Sequence, residues 1–389
     1  MFYFDNKISK NLLYLYISRS ITFFSNGIFS IFLPIFIYTT SGKDAVFTII
    51  FYLASSLLSL ILYPIATKYI EHYNLKNALY IAIIANVLFL LILSITTKTN
   101  IHLTVYPAIL LIVIFRMLYW VPYHTTFATF SDQNNRMREV AMFQATMHII
   151  GIITPLIAGF IITKTSYQTL FIIGIIIYLL SLIPLLTLSD VHEKFSWNYI
   201  QTWKQLFSKR YRHAMIAHYA EGIDSGVGVV IWPIFIYELL KGNFVSIGFI
   251  TTLTILVTVI LELYIGRHAD KTKNKKGVLK FNSLLYAVGW IIKIFVVTGF
   301  QIFIADAYHK ITQALTKNTL SAITYDISAD EGHYVDEFTV IKEMAVHAGR
   351  TTLYFIAICL LFFVQIQWIF VMAAISALTV NFIRFYSKP

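Results

Sequence analysis

Charge is what this sequence has least of. Only 13% of its 389 residues are Asp, Glu, Lys or Arg, about half the share found in soluble globular proteins. That is too little to cover a surface in water. Cysteine is scarcer still: Cys359 stands alone inside an apolar run, which excludes an intrachain disulfide framework and argues against a cysteine-based metal site. Catalytic signatures are missing too. There is no P-loop, no His/Glu zincin spacing and no Gly-x-Ser-x-Gly elbow, so ATP hydrolysis and these hydrolase chemistries are not expected, nor is any cofactor or metal. The acidic stretch "DISADEGHYVDE" lacks the ligand register of a calcium loop. It reads as a solvated loop, with Asp336 and Glu337 placed at a positive helix end.

Apolar residues fill the gap, at 58% of the chain. Runs of about 18 or more such residues read as membrane-spanning helices. The first run is too long for a signal h-region and no small-residue cleavage site follows it, so it is expected to stay as a helix. Breaks at charged and turn-forming residues divide the chain into twelve spans, close to 12–38, 45–67, 78–97, 102–127, 140–163, 168–189, 213–239, 244–266, 278–298, 302–323, 338–363 and 366–386. Between the sixth and seventh lies the longest polar connection, "DVHEKFSWNYIQTWKQLFSKRYRH". Its aromatics and bases at helical spacing predict an amphipathic helix on the membrane surface.

The net charge of +11 raises the question of nucleic acid, and its placement answers it. The segments on the side of the two chain ends, with Lys280 and Arg384 at their edges, hold 19 Lys and Arg. The opposite loops hold four: Lys43, Lys98, Lys164 and Lys241. Six of the 19 lie in "YIGRHADKTKNKKGVLK". This is the bias that keeps basic loops cytoplasmic, so both termini are expected inside and no nucleic-acid partner is expected.

The chain also repeats itself. "NGIFSIFLPIFIY" (26–38) matches "SGVGVVIWPIFIY" (225–237) at a shift of 199 residues, and His148 falls on His347 at the same shift. Six spans followed by six similar spans imply two halves related by an axis along the membrane normal, with a binding site between them. The expected fold is an all-α integral membrane protein of twelve transmembrane helices in two six-helix pseudo-symmetric bundles. Residues 1–189 form the first half, 190–212 an amphipathic linker and 213–389 the second half.

Gly266-x-x-x-Asp270-Lys271, between the eighth and ninth spans, resembles the loop signature of the major facilitator superfamily, although Lys273 stands where a second glycine is usual. The corresponding first-half loop, "YPIATKYIEHYNLKNA", has lost the pattern. In the fifth span, Gly151-Ile-Ile-Thr-Pro155-Leu-Ile-Ala-Gly159 is similar to the Gly/Pro motif of the family's antiporters, with Thr154 and Ala158 replacing two of its glycines. The resemblance implies that Gly266, Asp270 and Lys271 form a cytoplasmic latch between the halves. The plain alternative for Asp270 is a solvated loop residue.

Twelve charged residues fall inside the spans: Arg19, Arg116, Lys293, Lys310, Lys317, Lys342 and Arg350 against Glu221, Asp224, Glu262, Asp306 and Glu343. Each costs roughly 2.5–3.5 kcal/mol at a helix centre in lipid, so they must pair, snorkel or face water. The resemblance implies that spans 1, 4, 7 and 10 line a central cavity. Arg19, Arg116, Glu221, Asp224, Asp306 and Lys310 lie on those spans. Trp120, Tyr123 and Trp232 on the same spans offer stacking surface or merely pack. Glu221 and Asp224, three apart on one helical face, are the candidates for proton coupling; a permanent ion pair is the open alternative. His309 borders the Asp306–Lys310 pair. Glu343, His347 and Arg350 share one face of span 11, and for His148 and His347 packing and proton carriage both stand open. Arg116 is placed like a fourth-span arginine of the family's antiporters, but Trp120 stands where a glycine is usual, which leaves a structural role open.

These features point to a secondary active transporter, not an enzyme, that moves a small polar or amphiphilic solute by alternating access. Proton coupling is expected, and the fifth-span motif tilts the reading towards export. The alternatives are proton-coupled uptake of a sugar, amino acid or peptide, and a lipid-handling or intramembrane scaffold. The expected partners are a small-molecule substrate, protons and the lipid bilayer, with the chain a monomer in the cell membrane.

Overall fold

The structure is a computed structural model that describes residues 9–131, 136–192, 194–269, 275–329 and 335–382. Helix starts follow local chemistry. Ser9, Asp44, Asn74 and Ser166 each turn a side-chain oxygen onto a backbone N–H of the first turn that follows, filling donors a helix end leaves open. Asn74 also takes a positive φ of 78° between spans 2 and 3, a conformation asparagine tolerates better than most residues.

All twelve predicted spans are helical. Spans 2 to 5 are single helices, Ala45–Tyr73, Leu75–Ile95, Ile101–Phe130 and Arg136–Lys164, and span 6 is Tyr167–Leu180 with Leu182–Leu186. Spans 8 to 11 are Phe244–Ala269, Lys275–Ile294, Gly299–Ala329 and Val335–Leu360, and span 12 centres on Phe370–Thr379. Seven helices among the described residues are apolar and long enough to cross a membrane by themselves, with mean hydropathies from 1.4 to 2.7. Spans 9 to 11 carry interior charge: Lys293 on span 9, Asp306, Lys310 and Lys317 on span 10, and Glu343 and Arg350 on span 11.

Spans 1 and 7 are broken at the same place in the repeat. Span 1 runs Lys10–Phe29 and Phe32–Thr40 with a bend of 41° between them. Span 7 runs Arg212–Gly226, widens into a π-helical turn at Val227–Ile231, and continues as Trp232–Leu239. The cause is Pro34 in one and Pro233 in the other: each lacks the N–H that would bond the carbonyl four residues back, at Ser30 and Val229. π turns within helices occur frequently at functional sites.

Neighbour relations repeat as well. Span 1 packs on spans 5 and 6 as span 7 does on 11 and 12; span 3 packs on 4 and 6 as span 9 does on 10 and 12. Two seams join the halves, span 2 on span 11 and span 5 on span 8. Helices there approach closely because small residues leave no side chain between the backbones. A Cβ on Gly159 would stand 2.4 Å from the Phe244 carbonyl oxygen, and one on Gly248 2.3 Å from that of Pro155. The linker carries a short helix, Tyr199–Leu206, started by an Asn198/Gln201 capping box. It is docked on the protein: the Ser196 N–H donates to Glu337 Oε1 at 2.7 Å, and the Leu75 N–H donates to the Val191 carbonyl.

On the face opposite the chain ends, equivalent residues of the two halves meet each other. Tyr38 and Tyr237 touch edge to face at 6.1 Å, and Phe32, Tyr167 and Tyr237 surround Phe244. Lys43 bonds Glu238 across the gap at 3.1 Å. This face is closed.

Candidate functional site

Residues midway along helices yet only half-buried mark where those helices border open space. Arg116, Trp120 and His124 do so on span 4, Glu221 and Ser225 on span 7, Lys310, Gln313 and Lys317 on span 10, and Glu343 and Arg350 on span 11. They belong to the interior between the halves, away from the closed face.

In the first half the main feature is Arg19. It is buried, at 8% exposure, and forms no ion pair with an acid among the described residues. Its guanidinium carbon lies 4.8 Å from the Trp120 ring, 5.3 Å from Tyr123, 5.5 Å from Phe23 and 5.6 Å from Tyr119. One N–H reaches the Tyr119 hydroxyl at 3.5 Å. An aromatic cage attracts a cation through the negative faces of its rings, by up to about 2 kcal/mol per ring when desolvated. Trp120 and Tyr123 therefore hold a charge of the protein itself.

The second half is a polar network. Asp224, at 3% exposure, accepts from the Tyr286 hydroxyl at 2.5 Å and from Trp290 Nε1 at 2.8 Å, and lies 3.9 Å from Lys317. Gln313 donates to the Tyr286 hydroxyl at 2.7 Å. His309 is buried against the Trp290 ring at 4.3 Å, in a space Gly289 leaves open, and its Nδ1 has no partner among the described residues. Asp306 bonds Lys293 at 2.8 Å and lies 3.6 Å from Lys310. Lys293, at 1% exposure, sits over the rings of Trp232 and Trp290. Trp232 is buried beneath it and packs on Phe370, so it is a wall of the network.

The two acids of span 7 part company. Glu221 pairs with His218 Nδ1 at 3.0 Å, while Asp224 turns to spans 9 and 10. On span 11, Arg350 donates to the Ser225 hydroxyl at 3.1 Å, Glu343 lies 3.8 Å from Lys342, and His347 is buried against Tyr63. Arg116 donates to the Ser55 hydroxyl at 3.2 Å. His148 lies 3.6 Å from Glu262 across the span 5–8 seam. Within the Gly/Pro motif, Pro155 and Gly159 form that seam, whereas nothing comes nearer than 4.0 Å to a Cβ on Gly151. Gly266 lies at the end of span 8; Asp270 and Lys271, the expected latch, lie outside the described residues.

Sequence reasoning missed Tyr286, Trp290, Gln313 and His218 as partners. The first two sit on span 9, outside the spans the resemblance assigned to the cavity, and only the intramembrane Lys293 on that span signalled a polar surface.

Two bundles of six spans, related as a repeat and enclosing a charged interior, define a membrane transporter fold. The chain belongs to the major facilitator superfamily, whose family model matches residues 15–220. A crystal structure of the peptide transporter POT in complex with sulfate is similar in fold, with a TM-score of 0.69 and 12% sequence identity over 96% of this chain and 93% of that one. No curated protein matches.

Proposed function

We propose that this chain is a proton-coupled secondary transporter of a small polar solute, that it works by alternating access, and that Asp224 is its proton site. One observation carries the proposal: a buried carboxylate on span 7 whose donors lie on spans 9 and 10, next to a π turn. Any rearrangement of those helices changes how well the Asp224 charge is satisfied, and a ligand that binds two states unequally, a proton included, shifts the balance between them. Glu221, held by His218, keeps its structural partner and has a supporting part.

The fifth-span Gly/Pro motif supports exchange of solute for protons, hence export. The second reading is symport, uptake of a nutrient such as a peptide; the likeness to a peptide transporter supports it at the level of fold. The basic loops support both chain ends in the cytoplasm. Proteoliposomes with an entrapped pH dye, challenged with a panel of solutes, test the proposal. A transported solute entering down its gradient acidifies the lumen in symport and alkalinises it in antiport. Asp224→Asn is expected to abolish the pH change while leaving solute exchange intact; an unchanged signal in this variant would sink the assignment.

A further inference from the structure

The interior carries a charge imbalance. Among the described residues, Asp224, Asp306, Glu343, Glu221 and Glu262 each have a basic or histidine partner. Arg19, Arg116 and Arg350 form no ion pair there. Arg19 has its aromatic cage. Arg116 and Arg350 have only a serine hydroxyl each.

These two arginines come from opposite halves, spans 4 and 11, and flank the span 2–11 seam. Tyr63 lies between them: its hydroxyl donates to the Arg116 carbonyl oxygen at 3.1 Å and its ring meets His347, one turn from Arg350. One turn from Ser55 and Arg350 towards the closed face, Tyr52 meets Tyr354 at 6.1 Å; on the other side Tyr63 meets His347 at 5.6 Å. A guanidinium presents five N–H donors in a planar fork, and one from each arginine is occupied by its serine. Both side chains are half-buried, and none of their nitrogens is sealed away without a partner, so the free donors face open space. Two buried polar atoms beside the pair lack partners as well: the Tyr52 hydroxyl and His347 Nδ1. The nearest acid on span 11, Glu343, lies two turns from Arg350 beside Lys342. Two neighbouring cations with free forks and no acid partner among the described residues offer an anion a place to bind.

We propose that Arg116 and Arg350 together bind an oxyanion group, carboxylate or phosphate, of the transported molecule. Forked donors match the planar geometry of such groups. An oxyanion between them ties one half of the protein to the other. The inference rests on the transport reading and narrows its substrate to an anionic or zwitterionic molecule.

The test is thermal unfolding of the protein in phosphatidylcholine nanodiscs, with chloride replaced at constant ionic strength by inorganic phosphate, sulfate or succinate. At least one of these is expected to raise Tm by about 3 °C or more at saturation. Arg116→Gln and Arg350→Gln should lose that rise, while Arg212→Gln, an exposed change on the linker side, should keep it. Arg116→Lys and Arg350→Lys retain charge without the fork and serve where a glutamine variant does not fold. They should need about tenfold more anion for half the effect. Nanodiscs containing phosphatidylglycerol separate the two sources of the group. If Tm is already raised there in an Arg116- and Arg350-dependent way, a lipid headgroup is the occupant; if free anions act equally in both discs, a soluble solute is. No rise with any oxyanion, or a rise that survives all four variants, overturns the proposal. The readout is binding, so its failure with proton-linked flux intact removes this inference alone.

Discussion

Arg19 shows how a cation can be kept inside a membrane protein without an acid. Four rings stand around it, and they take the place an acid partner would otherwise fill. If the cage is what holds the charge, Arg19 and Trp120 must be energetically coupled. A double-mutant cycle with Arg19→Gln and Trp120→Leu, read by thermal unfolding in nanodiscs, is expected to give about 1–2 kcal/mol of coupling. Simple additivity would reduce Trp120 to packing. The sequence showed a charge on span 1 and the aromatics Trp120 and Tyr123 on span 4. It did not show that they serve each other, because cation–π contact depends on how two helices are rotated.

At the scale of helices, the Gly/Pro motif of span 5 separates into two roles. Gly159 lies against the Phe244 backbone, and a methyl there would sit 2.4 Å from a carbonyl oxygen that cannot swing away; Gly151 has no neighbour nearer than 4.0 Å. Gly159→Ala is expected to cost about 1–3 kcal/mol of stability and to depress transport, whereas Gly151→Ala leaves both near wild type. Thermal unfolding and flux on the same preparations check this. In span 7, Gly222 lies against Val346 and in span 11 Gly349 lies against Tyr219, with methyl positions 2.1 and 2.0 Å from the carbonyl oxygens. The same large penalty is expected there. The helices themselves were legible from runs of apolar residues and from caps such as Asp44. The glycines were visible too, but which of them face a neighbour is set by helix rotation.

For the molecule as a whole, the closed face is the state the structure defines. The repeat brings Tyr38 onto Tyr237, so the pseudo-symmetry axis passes close to that contact. Replacing both by cysteine and bridging them with a short bifunctional thiol reagent is expected to halt transport, with recovery when a cleavable bridge is reduced. Transport that persists in fully bridged protein would show that this face need not open. Lys43 and Glu238 secure the same face. The hydrogen bond from Lys43 to Glu238, and then their charges, raise the Lys43 pKa above the ordinary lysine value, which is about 10.4. A raised lysine pKa means that the contact is fully present below that value and is lost as pH rises through the higher one. Accessibility of Tyr38→Cys to a thiol reagent whose own pH dependence is corrected for should therefore stay constant below about pH 10 and increase beyond it. In Glu238→Gln the increase should be present at neutral pH.

The sequence by itself determined the twelve spans, the two-fold repeat and the membrane class, since these follow from the cost of exposing polar backbone in lipid and from the periodic placement of apolar residues. It also marked the interior charges, because a charge within an apolar run stands out whatever surrounds it. Only the tertiary structure decided which of them are satisfied. Asp224 joined spans 9 and 10 while Glu221 stayed with His218, and Arg116 and Arg350 were left facing open space without an acid among the described residues. Pairing is a matter of distance between helices far apart in the chain, and distance arises only when the halves pack.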